Sequence, residues 1–208
     1  TALYADAAKD YTGAIHVCNL GLPRRCYEGE TDTFLLSVND MRLPHRAVQN
    51  THKMSYGHGL FFCGEKNGAC MLAASAALHF GIGLVTVFGE PVPAAPFDFM
   101  YTLQLPENFS AAMVGSGLGR SVDAQEQALD FLSQEVVRER PLILDADILH
   151  NTKLPELLPL LKVPILTPHP KEFQSLLANS GLAQVSVAEI QEHRFEYLRL
   201  FCGAFLQA

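Results

Sequence analysis

The fold is decided by an uncharged stretch, ACMLAASAALHFGIGLVTVFG, which occupies residues 69–89. Its first half is rich in Ala and Leu, which favour helix, whereas Leu84–Phe88 is rich in β-branched residues, which favour strand. Gly81 and Gly83 separate the two halves. A membrane-spanning helix needs about 20 continuous apolar residues, and the glycines interrupt this run. The stretch therefore predicts a buried helix, a glycine stop and a buried strand.

The same alternation continues along the chain. Short apolar runs recur between helical stretches, as the interior strands of a parallel sheet do. Residues 122–137 carry their apolar side chains on one helical face, with Ser121 as the N-cap. A last helix is expected from Ser186 to the end of the chain, because Ser186 and Glu189 have capping-box spacing. The pattern predicts a three-layer α/β sandwich with a mostly parallel sheet. The predicted strands are residues 59–63, 84–88, 101–105, 111–115, 141–145 and 163–167.

The first 50 residues have a different character. Ala14–Cys18 could form one strand, and the stretch that follows is polar and rich in turn residues. We expect residues 1–22 to be the tail of a preceding domain, 23–50 to be a linker that packs on the next domain, and 51–208 to be the main domain. Because the chain ends in a helix without a finishing strand or cap, this last domain is expected to be incomplete at its C-terminus.

Composition narrows the classes of function. The chain has 208 residues, of which 49% are hydrophobic and 18% charged, and this excludes intrinsic disorder. Fifteen Lys and Arg against 22 Asp and Glu give a net charge of −7, which disfavours nucleic acid and acidic membranes as partners. Five cysteines without a C-x-x-C pair indicate neither a disulfide framework nor a zinc site, so we expect a cytoplasmic protein. The absence of a G-x-S-x-G elbow and of a P-loop disfavours serine hydrolases and P-loop NTPases.

Two glycine-bearing loops follow predicted strands, where ligands bind in open α/β sheets. The segment CGEKNGA, residues 63–69, opens a helix, and its free N–H groups could hold a phosphate. Its glycines could equally serve only a tight turn. The segment GSGLGR, residues 115–120, has Arg120 where the dinucleotide fingerprint needs a third glycine. Its glycines could let a ligand approach the backbone, with an anion favoured at the following helix N-terminus, or could serve a turn.

Two carboxylates end the predicted strand in PLILDAD, residues 141–147. The i, i+2 spacing of Asp145 and Asp147 points both side chains to one side. They could bind a magnesium-bound phosphate or a substrate hydroxyl, since hard cations prefer oxygen ligands. The alternative is that Asp147 caps the next turn while Asp145 accepts backbone N–H bonds.

A histidine follows the last predicted strand in PILTPHPKEF, residues 164–173. Two prolines fix the backbone around His169, and Pro170 suits the first turn of a helix. A single His is usually an ordinary core or surface residue, but this position at the end of an interior strand favours a role in a site. Glu172 could serve only to complement the helix dipole.

Four ordered motifs together resemble the C-terminal domain of the ADP- or ATP-dependent NAD(P)H-hydrate dehydratases. The motifs are HKMSYGHGLFFCGEKNGACMLAASAALHFGIGLVTV (52–87), AAMVGSGLGRS (111–121), PLILDAD (141–147) and ILTPHPKEF (165–173). The opening YTGAIHVCNLGLP, residues 11–23, is similar to the last strand of the NAD(P)H-hydrate epimerase domain that precedes the dehydratase in bifunctional bacterial proteins.

The resemblance implies a ribokinase-like fold and a hydro-lyase reaction. In that reaction the S-form of NADH or NADPH hydrate loses water, in a step coupled to cleavage of ADP or ATP, with Mg2+. The resemblance also implies a homo-oligomer. By motif match, the residues that contact the hydrated cofactor would be Ala69, Gly117, Gly119 and His169, and those near the nucleotide or metal would be Asp145, Asp147 and Glu172. No metal ligand is assigned with certainty.

The sequence also departs from the family pattern. Ser116 stands where the family has proline, and Glu65–Asn67 stands where a Gly-Gly-Ser type of turn is usual. The family's Gly-Thr-Gly-Asp motif, which supplies the catalytic aspartate, would lie beyond Ala208, so we predict that this chain has no dehydratase activity alone. Two alternatives stay open: a ribokinase-fold small-molecule kinase of the hydroxymethylpyrimidine type, and a non-catalytic nucleotide-binding module.

Overall fold

The computed structural model describes residues 2–4, 8, 10–18, 20–26, 29, 34–43, 45–92 and 98–205. The chain divides into two compact units, residues 1–45 and 46–208. The described part of the first unit includes three short 3-10 helices, Ala2–Tyr4, Arg24–Cys26 and Val38–Asp40. The predicted domain boundaries after residues 22 and 50 stay predictions.

One predicted strand is wrong. Residues 14–18 have no strand conformation, although the segment looked like a strand from its composition. A strand needs a hydrogen-bonded neighbour, and the sheet contains six strands of which this segment is not one. Val17 is 89% exposed, so the segment also lacks the apolar packing that would favour strand formation.

The second unit is built on a six-stranded sheet in the order β3-β2-β1-β4-β5-β6. All five pairings are parallel, which confirms the predicted parallel sheet. In register, Leu60 of β1 lies opposite Thr86 of β2 and Ala112 of β4. The strands are β1 His58–Phe62, β2 Leu84–Phe88, β3 Met100–Thr102, β4 Ala111–Val114, β5 Pro141–Leu144 and β6 Val163–Leu166.

Only β3 is clearly shorter than predicted. The strand was expected over residues 101–105, but it ends at Thr102. The Thr102 hydroxyl accepts a hydrogen bond from the Gln104 N–H at 3.0 Å and donates one to the Gln104 carbonyl at 2.7 Å. This local bonding competes with pairing to a neighbouring strand and turns the chain away from the sheet.

Both predicted N-caps are confirmed, but each of the two long helices predicted from the sequence is interrupted. Ser121 Oγ accepts a hydrogen bond from the Ala124 N–H at 3.2 Å, and Ser186 Oγ accepts one from the Glu189 N–H at 3.2 Å. The helix predicted over 122–137 breaks at Gln134, whose ψ of 131° is extended, and the last helix breaks at His193. Residues 206–208 lie outside the described residues. The helices are α1 Asn67–Phe80, α2 Val122–Ser133, α3 Glu135–Arg138, α4 Leu154–Leu157, α5 Pro170–Asn179, α6 Val187–Glu192 and α7 Arg194–Phe205. Further 3-10 helices cover Lys53–Tyr56, Ala146–His150 and Leu158–Leu160.

The sheet has an apolar core on each face, because successive side chains of a strand alternate between the two sides. Leu60 and Phe62 of β1 pack in the larger core with residues of α2 and α5, whereas Phe61 packs in the smaller core with Cys70 and Ala74 of α1. Helices therefore lie on both sides of the sheet, and the predicted three-layer α/β sandwich is confirmed. None of the helices in the described ranges is long and apolar enough to cross a membrane.

Candidate functional site

The loops that follow β1, β4, β5 and β6 lie at one edge of the sheet, because these strands are parallel and their carboxyl ends point the same way. We call these loops the carboxyl rim: residues 63–66, 115–121, 145–147 and 167–169. Each of the four segments that the sequence singled out contributes a loop to it. The rim is therefore the place where their side chains can act together.

Asp145 ties three rim loops together. Its Oδ2 accepts a hydrogen bond from Ser116 Oγ at 3.0 Å, and its Oδ1 accepts one from Thr167 Oγ1 at 2.7 Å. Its own N–H donates to the Val114 carbonyl at 3.1 Å. Since a carboxylate offers about four acceptor positions, two hydroxyl donors leave it with further capacity toward a ligand. Sequence reasoning missed Ser116 and Thr167 as partners, although both lie within two residues of the end of a strand.

Asp147 binds the glycine loop that follows β4. Its Oδ2 accepts a hydrogen bond from the Gly119 N–H at 3.0 Å, and Arg120 Nε lies 3.7 Å from Oδ1. The Gln125 amide supports the same corner, donating to the Gly119 carbonyl at 2.8 Å. The Asp147 side chain is only 17% exposed, whereas that of Arg120 is 72% exposed, so the backbone bond contributes more than the ion pair. Sequence reasoning did not identify Gln125.

Ala146 separates these two carboxylates in a left-handed conformation, with φ of 54°. For a residue with a Cβ this conformation costs about 1–2 kcal/mol. The strand ends before it, and the 3-10 helix Ala146–His150 begins there. Both carboxylates contact the loop after β4. The left-handed turn at Ala146 brings them to that loop, whereas the sequence prediction assumed the alternation of side chains along a strand.

The two glycine loops pack directly against each other. The Lys66 N–H donates to the Gly117 carbonyl at 2.8 Å, and the Glu65 N–H donates to the Leu118 carbonyl at 3.1 Å. A Cβ on Gly117 would collide with the Lys66 carbonyl oxygen and would lie 3.1 Å from the Ala69 Cβ. Gly117 also has φ of +71°. The close approach brings Ala69 and Gly117 together and gives these glycines a packing role.

His169 caps helix α5 with its ring. Nδ1 accepts hydrogen bonds from the N–H groups of Lys171 at 3.2 Å and Glu172 at 3.4 Å. Nε2 lies 3.0 Å from Glu172 Oε1, and the His169 N–H donates to Glu172 Oε2 at 2.9 Å. An Nδ1 that accepts carries no proton, so this network favours the tautomer with its proton on Nε2. The imidazole is 58% exposed, so its face is open at the rim while Glu172, which is buried, holds its orientation.

Two cavities open beside the rim. One of about 380 Å³ is lined by residues that include Arg120, Asp147 and Lys153. The other, of about 520 Å³, lies near the ends of β1 and β2, and its lining includes Cys63 and Gly64. Neither cavity is lined by Gly117, Asp145 or His169. These three predicted residues therefore lie on the same rim but do not line either of the two cavities.

Two carboxylates of the rim, those of Asp145 and Asp147, are candidate ligands for a metal ion. Among the residues that the structure describes, no group of three or more His, Cys, Asp or Glu side chains is arranged to hold a metal ion. Asp145 and Asp147 are a pair of oxygen donors, and Mg2+ in phosphoryl-transfer sites is commonly held by one or two carboxylates together with substrate phosphates. The pair fits a cation that arrives with a nucleotide rather than a metal held by the protein alone.

A parallel sheet between two helical layers, with its loops collected at the carboxyl rim, defines a three-layer α/β protein. A ribokinase-like superfamily protein from Enterococcus faecalis shares the fold with a TM-score of 0.52 and 19% identity over 71% of this chain and 57% of that chain. The family model described as NAD(P)H-hydrate dehydratase matches residues 60–201. The chain belongs to this family.

Individual relatives agree with this assignment. The chain is 36% identical to the bifunctional NAD(P)H-hydrate repair enzyme Nnr of Helicobacter pylori, over 97% of this chain and 42% of that protein. It is 35% identical to the ADP-dependent (S)-NAD(P)H-hydrate dehydratase of Staphylococcus aureus, over 67% of this chain and 55% of that protein. A crystal structure of the ADP/ATP-dependent NAD(P)H-hydrate dehydratase of Bacillus subtilis, co-crystallised with ATP/Mg2+, matches with a TM-score of 0.60 and 29% identity over 78% of this chain and 60% of that chain. The chain thus spans less than two thirds of the length of each of these relatives.

Proposed function

We propose that this chain forms part of an enzyme that removes water from the S-form of NADH or NADPH hydrate and restores NADH or NADPH, with ADP or ATP as the coupled nucleotide. The observation that carries the proposal is the extent of the family match, since residues 60–201 include every loop of the carboxyl rim. The relatives' names supply the substrate and the nucleotide. Because the matching relatives are named dehydratases, a small-molecule kinase is not favoured.

Some residues of the rim would bind the substrate and others would bind the nucleotide. The backbone of Gly117 and Gly119, with Ala69 beside them, would contact the hydrated nicotinamide, and the exposed face of His169 would pack on it. The hydrogen bonds of the ring to the start of α5 and its contact with the buried Glu172 would hold it in place. The proposed reaction transfers a phosphoryl group to the ring hydroxyl, and loss of phosphate with a ring proton then restores the dihydropyridine.

Asp145 and Asp147 would lie on the nucleotide side of the rim. Phosphoryl transfer depends on positioning and on neutralisation of charge, and Mg2+ bound to the nucleotide phosphates supplies the latter. The Bacillus subtilis relative was co-crystallised with ATP/Mg2+, which supports the same pairing here. We further propose a cytoplasmic homo-oligomer.

Calorimetric titration of this chain tests the substrate assignment. We expect heat of binding with the S-form of NADH hydrate and weaker binding with NADH, which lacks the ring hydroxyl. The R-form of the hydrate is the matched control, because it differs only in the configuration of the hydroxyl-bearing carbon. Equal affinity for all three, or binding of none, would overturn the proposal.

Turnover separates the dehydratase from the kinase. In a protein that also carries the Gly-Thr-Gly-Asp segment, ADP or ATP with hydrated NADH should restore the absorbance of reduced nicotinamide and release phosphate. A kinase would instead accumulate a phosphorylated product without recovery of that absorbance.

A further inference from the structure

A third cavity lies at the edge of the sheet opposite the carboxyl rim. It has a volume of about 400 Å³, which is within the range of small-molecule sites, and we call it the amino-edge cavity. Tyr56 lies two residues before β1 and Gly83 lies directly before β2, and both line the cavity where these parallel strands begin. The other described lining residues are Arg46, Val48, Thr51, His52 and Lys53. The cavity is therefore separate from the rim.

The lining of the amino-edge cavity carries positive charge. Arg46 and Lys53 are cations, and no Asp or Glu is among the lining residues that the structure describes. Neither cation takes part in an ion pair within the described part of the chain. This local charge contrasts with the net charge of −7 for the whole chain. The cavity therefore favours an anionic ligand.

Arg46 is held in place by two contacts. Its Cζ lies 4.3 Å from the centroid of the Tyr56 ring, and its Nη2 donates a hydrogen bond to the Gly81 carbonyl at 3.2 Å. A guanidinium has five N–H donors, so one bond to a carbonyl leaves others free for a ligand. Because these contacts already restrict the side chain, a ligand that binds it has less conformational entropy to remove.

Backbone packing fixes the wall of the cavity beside Arg46. The Gly83 N–H donates to the Tyr56 carbonyl at 3.2 Å, and a Cβ on Gly83 would collide with the Lys53 carbonyl oxygen. Thr51 Oγ1 lies 2.6 Å from the Tyr56 hydroxyl oxygen. One of the two hydroxyl protons makes this bond, so the other can be donated to an acceptor in the cavity. The cavity thus combines two cations with a hydroxyl donor.

We propose that the amino-edge cavity binds the terminal phosphate group of a small molecule. At neutral pH a terminal phosphate carries roughly two negative charges and offers three acceptor oxygens. The planar fork of Arg46 can bind two of these oxygens at once, and Lys53 adds a second positive charge. NADH hydrate has no terminal phosphate, because its phosphates are joined to each other and to the riboses. This site does not depend on the proposed function of the rim.

Backbone amide NMR of the whole chain tests the proposal. The probes are inorganic phosphate, glycerol 3-phosphate, and sodium chloride at matched ionic strength. We expect saturable shifts of the Thr51, Tyr56 and Gly83 signals with both phosphates and none with chloride. Glycerol 3-phosphate should bind at least as tightly as inorganic phosphate, because the cavity has room for a group attached to the phosphate. No saturable shift, or binding of inorganic phosphate alone, would overturn the proposal.

Substitutions of Arg46 test whether recognition is specific. Arg46→Gln should weaken phosphate binding about tenfold, because charge-assisted hydrogen bonds are lost. Arg46→Lys should recover only part of this affinity, since lysine keeps the charge but not the planar fork. The matched control is Lys162→Gln, which removes the same charge from an exposed side chain before β6, a strand separated from β1 by β4 and β5. Equal weakening by Arg46→Gln and Lys162→Gln would reveal unspecific attraction and overturn the proposal.

Lys53→Gln keeps the proposal testable if Arg46→Gln does not fold. The Lys53 side chain is exposed and takes part in no ion pair within the described residues, so its replacement should leave urea denaturation unchanged. Phosphate affinity should nevertheless fall about threefold, as expected for the loss of one exposed charge contact. Unchanged affinity in this variant would contradict the role of Lys53 as the second cation of the site.

Discussion

The two halves of the carboxyl rim are held by different kinds of interaction. On the β4–β6 side, carboxylates join the loops: Asp145 binds Ser116 and Thr167, and Asp147 binds the Gly119 N–H. At the junction with the β1 loop, the loops are joined by backbone hydrogen bonds, and they can approach closely because Gly117 has no side chain. In the first half, the Ser116 and Thr167 hydroxyls can rotate toward another acceptor. The second half is fixed by steric fit, so it would hold a bound ligand in a defined position.

The largest effect is expected where the steric half is broken. Gly117→Ala adds a Cβ that meets the Lys66 carbonyl and places it at a φ of +71°. Overpacking together with a left-handed Cβ should cost about 3 kcal/mol in the free energy of unfolding. Urea denaturation followed by circular dichroism measures it.

Gly68→Ala is the matched control for this substitution. Its added Cβ would meet no atom within 4 Å, and the residue lies in α1. Alanine there should stabilise the helix by up to about 1 kcal/mol. If both variants lost the same stability, the steric account of the glycine loop would be wrong.

A smaller effect is expected where the carboxylate half is broken. Asp145→Ala removes the acceptor of Ser116 and Thr167, and the loss of hydrogen bonds to a charged group should cost about 2 kcal/mol, also measured by urea denaturation. The exposed Glu107 serves as the control, since Glu107→Ala should leave stability almost unchanged. A loss no larger than that of the control would show that Asp145 does not tie the loops together.

His169 offers a way to separate its capping role from its proposed contact with substrate. His169→Ala should cost about 1 kcal/mol in unfolding free energy through loss of the α5 cap. His169→Asn should recover most of this, because Asn is a favourable N-cap, yet it should not recover affinity for the hydrated cofactor. If calorimetry showed full affinity in His169→Asn, the imidazole face would have no part in binding.

The smallest effect is expected far from the rim, at an exposed ion pair. Lys162 Nζ lies 2.9 Å from Glu139 Oε2, and the hydrogen bond and charge of Lys162 hold the pKa of Glu139 below its ordinary value. Any stability from this pair is present above the ordinary pKa of Glu and is lost as pH falls through the lowered one. Both side chains are exposed, so Lys162→Met should change stability negligibly. NMR titration of the Glu139 carboxyl should nevertheless show its pKa rising in this variant.

The strands and helix starts could be predicted because local signals determine them. Leu84–Phe88 is predicted with its observed bounds, the cap at Ser121 is recognised from its hydroxyl, and the cap at Ser186 is recognised from its capping-box spacing to Glu189. The break at Gln134 and the failed strand at 14–18 were not predictable in this way. The first accompanies hydrogen bonds that the Ser133 and Gln134 side chains donate to the Asp130 carbonyl. The second depends on a pairing neighbour that the segment itself cannot reveal.

The site was predictable as a set of residues but not as a set of contacts. Parallel topology alone brings Asp145, Asp147 and His169 to one edge, so the sequence could indicate them. The partners of Asp145 come from loops 22 and 29 residues away, and no spacing rule identifies them. The left-handed turn at Ala146 is equally invisible, because alanine has no preference for that conformation.

The central claim is that the carboxyl rim of this chain recognises a hydrated nicotinamide. Backbone amide NMR during titration with the S-form of NADH hydrate tests it most directly. We predict that the signals of Ala69, Gly117 and Gly119 and those around His169 shift, while those of Gly57 and Gly83 at the opposite edge of the sheet do not. Shifts confined to that opposite edge, or equal shifts with NADH, would contradict the account.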